Sequence, residues 1–332
     1  MLKVLLIGCG NIAGGFDCGR PVGAPPLTHA GAYTSHGGFE LVACVEPDEA
    51  RRSAFMQRWG VASGYAARRG LLDSQDIFDI VSICSPTSSH HHDVLAALQL
   101  RPRLIFCEKP LSSDMAQAQH MVDCCQAQGV LLAVNHNRRW DAAVTRVRDE
   151  LTAGTWGALR CAVGYYNKGV RNNGSHMIDL LQNLLGPLTL LDVGTPMHDF
   201  WPDDPSVSAQ FVTPGGVPVN LHCGHAADYA LFELQLVLER GLVAMEDGGL
   251  QWRVRHAGPS AQFAGYQSLV DEQKAPGNYL DTMTNAITNI HAALTHGIAL
   301  ASTGETALAA QKLCESILQQ ALRPKSGENP HA

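Results

Sequence analysis

Apolar residues fall into two textures along this chain. Over roughly the first 150 residues, short unbroken apolar runs alternate with longer amphipathic stretches. "KVLLIG" (3–8), "ELVACVEPD" (40–48), "FDIVSICSP" (78–86), "RLIFCEKP" (103–110) and "LLAVNH" (131–136) have the pattern of buried strands. Between them "DEARRSAFMQRWG", "HHHDVLAALQL" and "SDMAQAQHMVDCCQAQG" have the pattern of helices. Strands buried on both faces and alternating with helices predict βαβ units and a parallel sheet. Beyond residue 150 the texture changes. "ALRCAVGYY", "TLLDVGTP", "SVSAQFVTP", "VPVNLHCGH", "LFELQLVLER" and "GLVAMED" are strands set apart by Gly/Pro turns. They predict a largely antiparallel sheet, with an amphipathic helix over Met177–Leu185 packed on it. "GNYLDTMTNAITNIHAALTHG" and "TGETALAAQKLCESILQQAL" are late amphipathic helices, the second opened by Thr303 as a candidate N-cap.

The 332 residues give room for two domains, each with its own core. We expect a dinucleotide-binding domain over 1–133, a substrate and oligomerisation domain over 134–323, and a disordered tail over 324–332. The final helix is able to pack back on the first domain. At 45% hydrophobic and 17% charged the chain has an ordinary globular composition. Its net charge of −7 argues against nucleic-acid binding, which needs a basic footprint. No run reaches the roughly eighteen apolar residues of a membrane helix. The first apolar run is too short for a signal segment, and a cytoplasmic location is expected. Ten cysteines raise the question of disulfides or zinc. Cys9, Cys44, Cys84 and Cys107 sit in or beside apolar runs, where free cysteine acts as a small hydrophobe, and there is no CxxC pair. The patch His222, Cys223, His225 and Asp228 lies in an alternating strand that would turn its first two members to opposite faces. No metal is expected.

The candidate chemistry collects at strand ends. "GCGNIAGG" follows the first strand and gives Gly8, Gly10 and Ala13 at dinucleotide-turn spacing. One glycine serves the tight turn, the next allows close approach of a pyrophosphate, and the small residue allows close packing. Pyrophosphate is expected over the N–H groups of a helix N-terminus, with Asn11 and Ile12 in the same turn. Glu46 ends the second strand, where a carboxylate accepts from a ribose diol and repels a 2′-phosphate. NAD is therefore expected ahead of NADP, with Arg51 and Arg52 leaving room for the latter. An unusually long Gly/Pro-rich segment, Phe16–Leu27, separates the fingerprint from a crossover helix over Thr28–His36. Ser85, Pro86, Thr87 and His90 follow the third strand, where a doubly wound sheet has its ligand crevice. Lys109 ends a buried strand, an unlikely place for a core lysine, and Pro110 follows it. In "VRNNGSHMIDLL" (170–181) His176 is either a group aimed into a cleft or an ordinary helix-start residue; the stretch alone leaves both open.

These motifs in this order, "GCGNIA", "VEPD", "CSPTSSHHH", "CEKP", "NHNRRWD", "NNGSHMIDLL" and "TGETALAAQKLCESI", resemble the Gfo/Idh/MocA oxidoreductases over almost the whole chain. The resemblance implies an α/β protein with an N-terminal Rossmann domain and a C-terminal α/β domain built on a large, open, mostly antiparallel sheet. It implies a nicotinamide cofactor and a sugar, cyclitol or nucleotide-sugar substrate, with a homodimer or homotetramer as the assembly. Cofactor contacts are expected to include Glu108, Lys109 and Arg138. Lys109 and His176 match the pair that flanks the reacting carbon in this family, and which of them takes the proton stays open. Asn172 stands where many members carry aspartate. An amide accepts no proton, so Asn172 is expected to bind a substrate hydroxyl, and the departure leans toward nucleotide-sugar members. Tyr165, Tyr166 and Lys168 are expected to line the substrate pocket, Lys168 meeting a phosphate. Two other readings stand beside this one: a glycoside-cleaving relative that oxidises its substrate transiently with bound NAD⁺, and a non-catalytic dinucleotide-binding regulator.

Overall fold

Six parallel strands form the sheet of the first unit. The computed structural model describes residues 1–72 and 77–323; the expected disordered tail, 324–332, lies outside them. The strands are β1 (Leu2–Ile7), β2 (Phe39–Val45), β3 (Ser63–Tyr65), β4 (Ile80–Ile83), β5 (Leu104–Cys107) and β6 (Leu131–Val134), in the order β3-β2-β1-β4-β5-β6. Every pairing is parallel. Order and direction are those of a doubly wound dinucleotide-binding sheet, in which all carboxyl ends share one edge. The crossovers are α1 (His29–His36), α2 (Glu49–Trp59), the short α3 (Arg69–Leu72), α4 (Thr87–Gln99) and α5 (Met115–Ala127). Two buried clusters, one on each face, account for the unbroken apolar strands: Val4, Leu6 and Phe106 face one, Leu5, Ile7 and Val81 the other.

The Gly/Pro-rich insertion is looped out of a helix. Residues after Gly10 make one helical turn, with Gly14 and Phe16 N–H groups donating to the carbonyls of Gly10 and Asn11. The chain then leaves, and α1 resumes the same ladder: His29 N–H donates to Ile12 O at 3.2 Å and Ala30 N–H to Ala13 O at 2.9 Å. The expected loop over Phe16–Leu27 is therefore spliced in after the first turn of the fingerprint helix, and the expected crossover helix resumes at His29 with Thr28 as its cap. Asp17 closes the loop. Its carboxylate accepts from the N–H groups of Leu27 and Thr28 and from the Thr28 hydroxyl at 2.5 Å, while Thr28 caps α1 through Gly31 N–H.

Eight strands form the large sheet of the second unit: β7 (Leu159–Tyr166), β8 (Thr189–Val193), β11 (Ala209–Val212), β12 (Pro218–Cys223), β13 (Phe232–Leu238), β14 (Gly241–Glu246), β15 (Gln251–Pro259) and β16 (Gln267–Pro276). Their order is β16-β15-β14-β13-β7-β12-β11-β8, antiparallel except for β12 with β7. A separate hairpin pairs β9 (Met197–Trp201) with β10 (Asp204–Ser206). The helix α6 (Ala142–Thr152) precedes this sheet, and α7 (Ser175–Leu185) lies on it, its Met177 side chain fitted against Gly164 of β7.

The division between units differs from the expected boundary at residue 133. Met1–Thr145 and Asn278–Ala309 form one unit, Arg146–Gly277 and the chain from Ala310 the other. The helix α8 (Thr282–His296) joins the first because Met283, Ala286, Ile287, Ile290 and Leu294 enter the cluster of Val4, Tyr33 and Phe39. The last helix, α9 (Gly304–Ala321), begins in that unit, with Ala307 and Leu308 in the opposite cluster. All ten cysteines are free thiols.

Asp17 holds the insertion by charge-assisted hydrogen bonds, each worth roughly 1.5–3 kcal/mol. Asp17→Ala is expected to lower unfolding stability by about 2 kcal/mol in a urea titration. An unchanged midpoint would show that the loop does not depend on that carboxylate.

Candidate active site

In the first unit the predicted residues meet at the carboxyl edge of the sheet. Gly8 has φ +88°, and a Cβ there would sit 2.6 Å from Ser85 N. Only glycine lets the turn after β1 pass so close to the turn after β4. Gly10 differs: a Cβ there meets nothing within 4 Å, so the backbone faces open space of the kind a close-approaching ligand needs. Asn11 is exposed, Ile12 half-buried and Ala13 fully buried. Glu46 is buried at the end of β2. Its carboxylate accepts from Cys9 N–H at 3.0 Å and Asp48 N–H at 3.1 Å, which ties β2 to the glycine turn. Arg51 lies 3.5 Å from the same carboxylate, and Arg52 donates to the Glu46 carbonyl at 2.7 Å. A cavity of about 380 Å³ opens beside these groups, lined among others by Gly8, Glu46, Arg51, Arg68, Ser85 and Pro86.

The turn after β4 is braced by two side chains. Ser85 Oγ donates to Asp93 Oδ2 at 2.5 Å, and Arg68 pairs with the other Asp93 oxygen. Neither Asp93 nor Arg68 stood out in the sequence, since each reads as an ordinary helix or loop charge. Pro86 is exposed and Thr87 half-buried at the start of α4. His90 is corrected. It is 1% exposed, and its two ring nitrogens lie 2.9 Å from the carbonyls of Ser85 and Pro110. It fastens the Ser85 turn to the Lys109–Pro110 turn, and its ring is closed to a ligand.

Glu108 and Lys109 leave β5 side by side, both half-buried. Glu108 Oε1 lies 2.8 Å from His29 Nε2 and accepts from Asn135 Nδ2 at 2.7 Å. Burial opposes ionisation of this carboxyl, but the His29 bond and charge, the Asn135 amide and the Lys109 charge outweigh it, holding the group below its ordinary value. His29 was not singled out in the sequence. Arg138 is buried with its guanidinium 4.8 Å from the Tyr279 ring centre, a cation–π contact; burial lowers its pKa from the ordinary value.

The second unit presents the other predicted group. Residues 169–174 form a wide π-type turn that runs straight into α7; such turns recur at functional positions. The β9–β10 hairpin holds it. Asp204 accepts from the N–H groups of Arg171 at 2.8 Å and Asn172 at 3.0 Å, and Asp199 from Lys168 N–H at 2.8 Å. Lys168 sits at φ +67°, a conformation that needs such support, with its ammonium 5.4 Å from the Phe200 ring. Asn172 and His176 are half-buried, one helical turn apart. Tyr166 is corrected as a substrate residue. It is fully buried, and its hydroxyl both donates to Val207 O and accepts from Val207 N–H at 2.8 Å. Alternation along β7 turns it into the core, and Tyr165 to the other face beside His222. Among the described residues, no group of three or more His, Cys, Asp or Glu is placed to hold a metal ion.

Residues 2–136 match a family model described as oxidoreductase family, NAD-binding Rossmann fold. The chain is 27% identical over 204 residues to D-glucoside 3-dehydrogenase of Escherichia coli, covering 56% of this chain and 54% of that protein. It is 29% identical over 210 residues to D-apiose dehydrogenase of Paraburkholderia graminis, covering 58% and 52%. These matches thus span about half the length of either relative. Inositol 2-dehydrogenase of Rhizobium meliloti is 23% identical over 318 residues, 88% of this chain and 92% of that protein. Among solved structures, an Agrobacterium radiobacter oxidoreductase in complex with NAD⁺, L-tartaric acid and magnesium superposes with TM-score 0.77 at 19% identity, covering 96% of each chain. A myo-inositol dehydrogenase-like protein of Sinorhizobium meliloti gives 0.74 at 21% identity, covering 97% of each. At these identities the solved structures establish the fold.

Because the Glu108 pKa lies below 4.5 in the folded protein, its contribution to stability is complete above pH 4.5 and is lost as the pH falls through the lower, folded value. Urea unfolding followed from neutrality down through pH 4.5 should therefore show Glu108→Gln losing less stability on acidification than the wild type. Parallel curves for the two proteins would contradict this assignment.

Proposed function

Residues 2–136 match the model of the Gfo/Idh/MocA oxidoreductases, and on that premise we propose that the chain is an NAD-dependent member of that family acting on a hydroxyl or keto carbon of a sugar, cyclitol or nucleotide-sugar. One observation carries the reading: at a single sheet edge, the open backbone at Gly10, the Glu46 carboxylate and Lys109 follow β1, β2 and β5. The cavity and the bare Gly10 backbone fit a dinucleotide. Glu46 would accept from the ribose diol and disfavour a 2′-phosphate, so NAD is the cofactor we assign ahead of NADP. Arg51, close to that carboxylate, softens the discrimination. When bound, the nicotinamide supplies the acceptor or donor of hydride.

The chain's own residues then have the proton to manage. Oxidation of a carbinol carbon frees the hydroxyl proton, which needs a base within hydrogen-bond reach, and reduction needs the reverse. We assign that transfer to Lys109 and His176, with Asn172 supplying an amide that both donates to and accepts from a substrate hydroxyl. The asparagine, one helical turn from His176, adds no carboxylate there. The names of the relatives, dehydrogenases of a glucoside, apiose and inositol, support the substrate class. Assembly into a homo-oligomer and a cytoplasmic location complete the reading.

The test is a screen of inositols, free sugars, glycosides and UDP-, GDP- and dTDP-sugars with NAD⁺, followed by NADH absorbance. Net NADH formation on one of them is the expected result, and none on any would remove the reading. On the substrate so found, Lys109→Ala and His176→Ala should each reduce kcat by about 10² to 10⁴-fold, the range for lost acid–base help. Near-normal kcat in both would overturn the assignment.

A further inference from the structure

We propose that His29 is a positioning residue for Lys109: its ring fastens the Glu108 carboxylate in place beside the lysine. His29 is the first residue of α1 and is fully buried. Its Nε2 lies 2.8 Å from Glu108 Oε1, and its Nδ1 lies 3.4 Å from Ser82 Oγ. Ser82 Oγ in turn lies 2.8 Å from the Tyr33 hydroxyl. Ser82 and Tyr33 are also fully buried, and the His29 ring packs 4.5 Å from that of Phe106. A polar chain through an apolar core is tolerated only when each member is hydrogen-bonded.

The donors can all run one way. The Tyr33 hydroxyl donates to Ser82, the Ser82 hydroxyl to His29 Nδ1, and His29 Nε2–H to Glu108. Asn135 adds a second donor to the same Glu108 oxygen at 2.7 Å. The far end is Tyr33, with no exposed surface and its hydroxyl pushed up in pKa by burial. A proton passed inward has no water to reach, so the chain is a brace and not a conduit. The other charged group that acts on Glu108 is Lys109, next to it, while the Cys84 and Cys107 thiols are pushed up by burial and by the Glu108 charge. The thiols stay neutral, so the carboxylate's charge falls on Lys109. A carboxylate kept ionised there favours the charged lysine. His29 also sits at the splice, its own N–H closing onto Ile12 O, so one residue couples the cofactor turn to the Lys109 strand.

The kinetic part of the test rests on the function proposed above, and the spectroscopic part does not. Infrared difference spectra of the substrate-free protein would follow the protonated carboxyl band that Glu108→Gln removes. In His29→Phe, and in His29→Asn, whose amide is too short to reach, that band should titrate about one pH unit or more higher than in wild type. His29→Gln, which keeps an N–H donor, should restore most of the shift. In kcat/KM profiles, the limb reporting Lys109 should move to lower pH in Glu108→Gln, which removes the neighbouring charge, while His29→Phe should lower kcat/KM and should lower it little further when added to Glu108→Gln. An unchanged carboxyl titration in both His29→Phe and His29→Asn would overturn the proposal. So would an equal loss of activity from His29→Phe with and without Glu108, since that is what a purely structural role predicts. If wild type turns over no sugar-like substrate, the functional reading fails while the infrared titration still decides the role of His29. If His29→Phe fails to fold, His29→Asn carries the same titration.

Discussion

Parallel pairing of β1, β2, β4 and β5 is the constraint on which the chemistry of the first unit depends. Strands that all run one way deliver their carboxyl ends to one edge, and residues 8–10, 46, 85 and 108–109 have no other place to go. The apolar clusters on both faces fix the strands' register by burial of residues such as Val4, Leu5, Ile80 and Ile105. Polar groups that must sit in that interior are then forced into hydrogen bonds, as Tyr33 is with Ser82 and His29 with Glu108.

The same edge is stiffened by cross-links between successive turns. Glu46 bonds the Cys9 amide, His90 bridges Ser85 and Pro110, and Asp93 takes both Ser85 and Arg68. Side chains that sequence reasoning would spend on ligands are in several cases spent on the scaffold. In the second unit Asp199 and Asp204 do the equivalent for the turn that carries Asn172, satisfying amides that a π-type turn would otherwise leave open. In each unit, groups held at this many points are oriented before any ligand arrives.

Local signals made much of this legible in the sequence. The run "KVLLIG" with its glycines, the acid after β2 and the lysine after β5 are set by residues within a few positions of one another. The looped-out segment 16–27 was also readable from its glycines and prolines. His29 was not, because an insertion separates it from the fingerprint it belongs to and its partner Glu108 is 79 residues away. Tyr166 was misread because its aromatic ring suits a pocket as well as a core, and only the face decides. The strands β15 and β16 gave no clear pattern: "QWRVRHAGP" and "QSLVDEQKAP" lie at the outer edge of the sheet, and β16 is exposed along almost its whole length. The helix α8 was amphipathic on inspection, but nothing local says that its apolar face belongs with the Tyr33 cluster of the first unit.

The claim on which the functional account rests is that a dinucleotide lies across the bare backbone at Gly10, and calorimetric titration of NAD⁺ into wild type and Gly10→Val tests it most directly. No atom stands within 4 Å of a Cβ at that position, so the variant should fold with an unfolding midpoint close to wild type. The valine side chain would fill the space the pyrophosphate needs, and NAD⁺ affinity should fall at least tenfold, about 1.4 kcal/mol. Equal affinity of the two proteins for NAD⁺ would contradict the account.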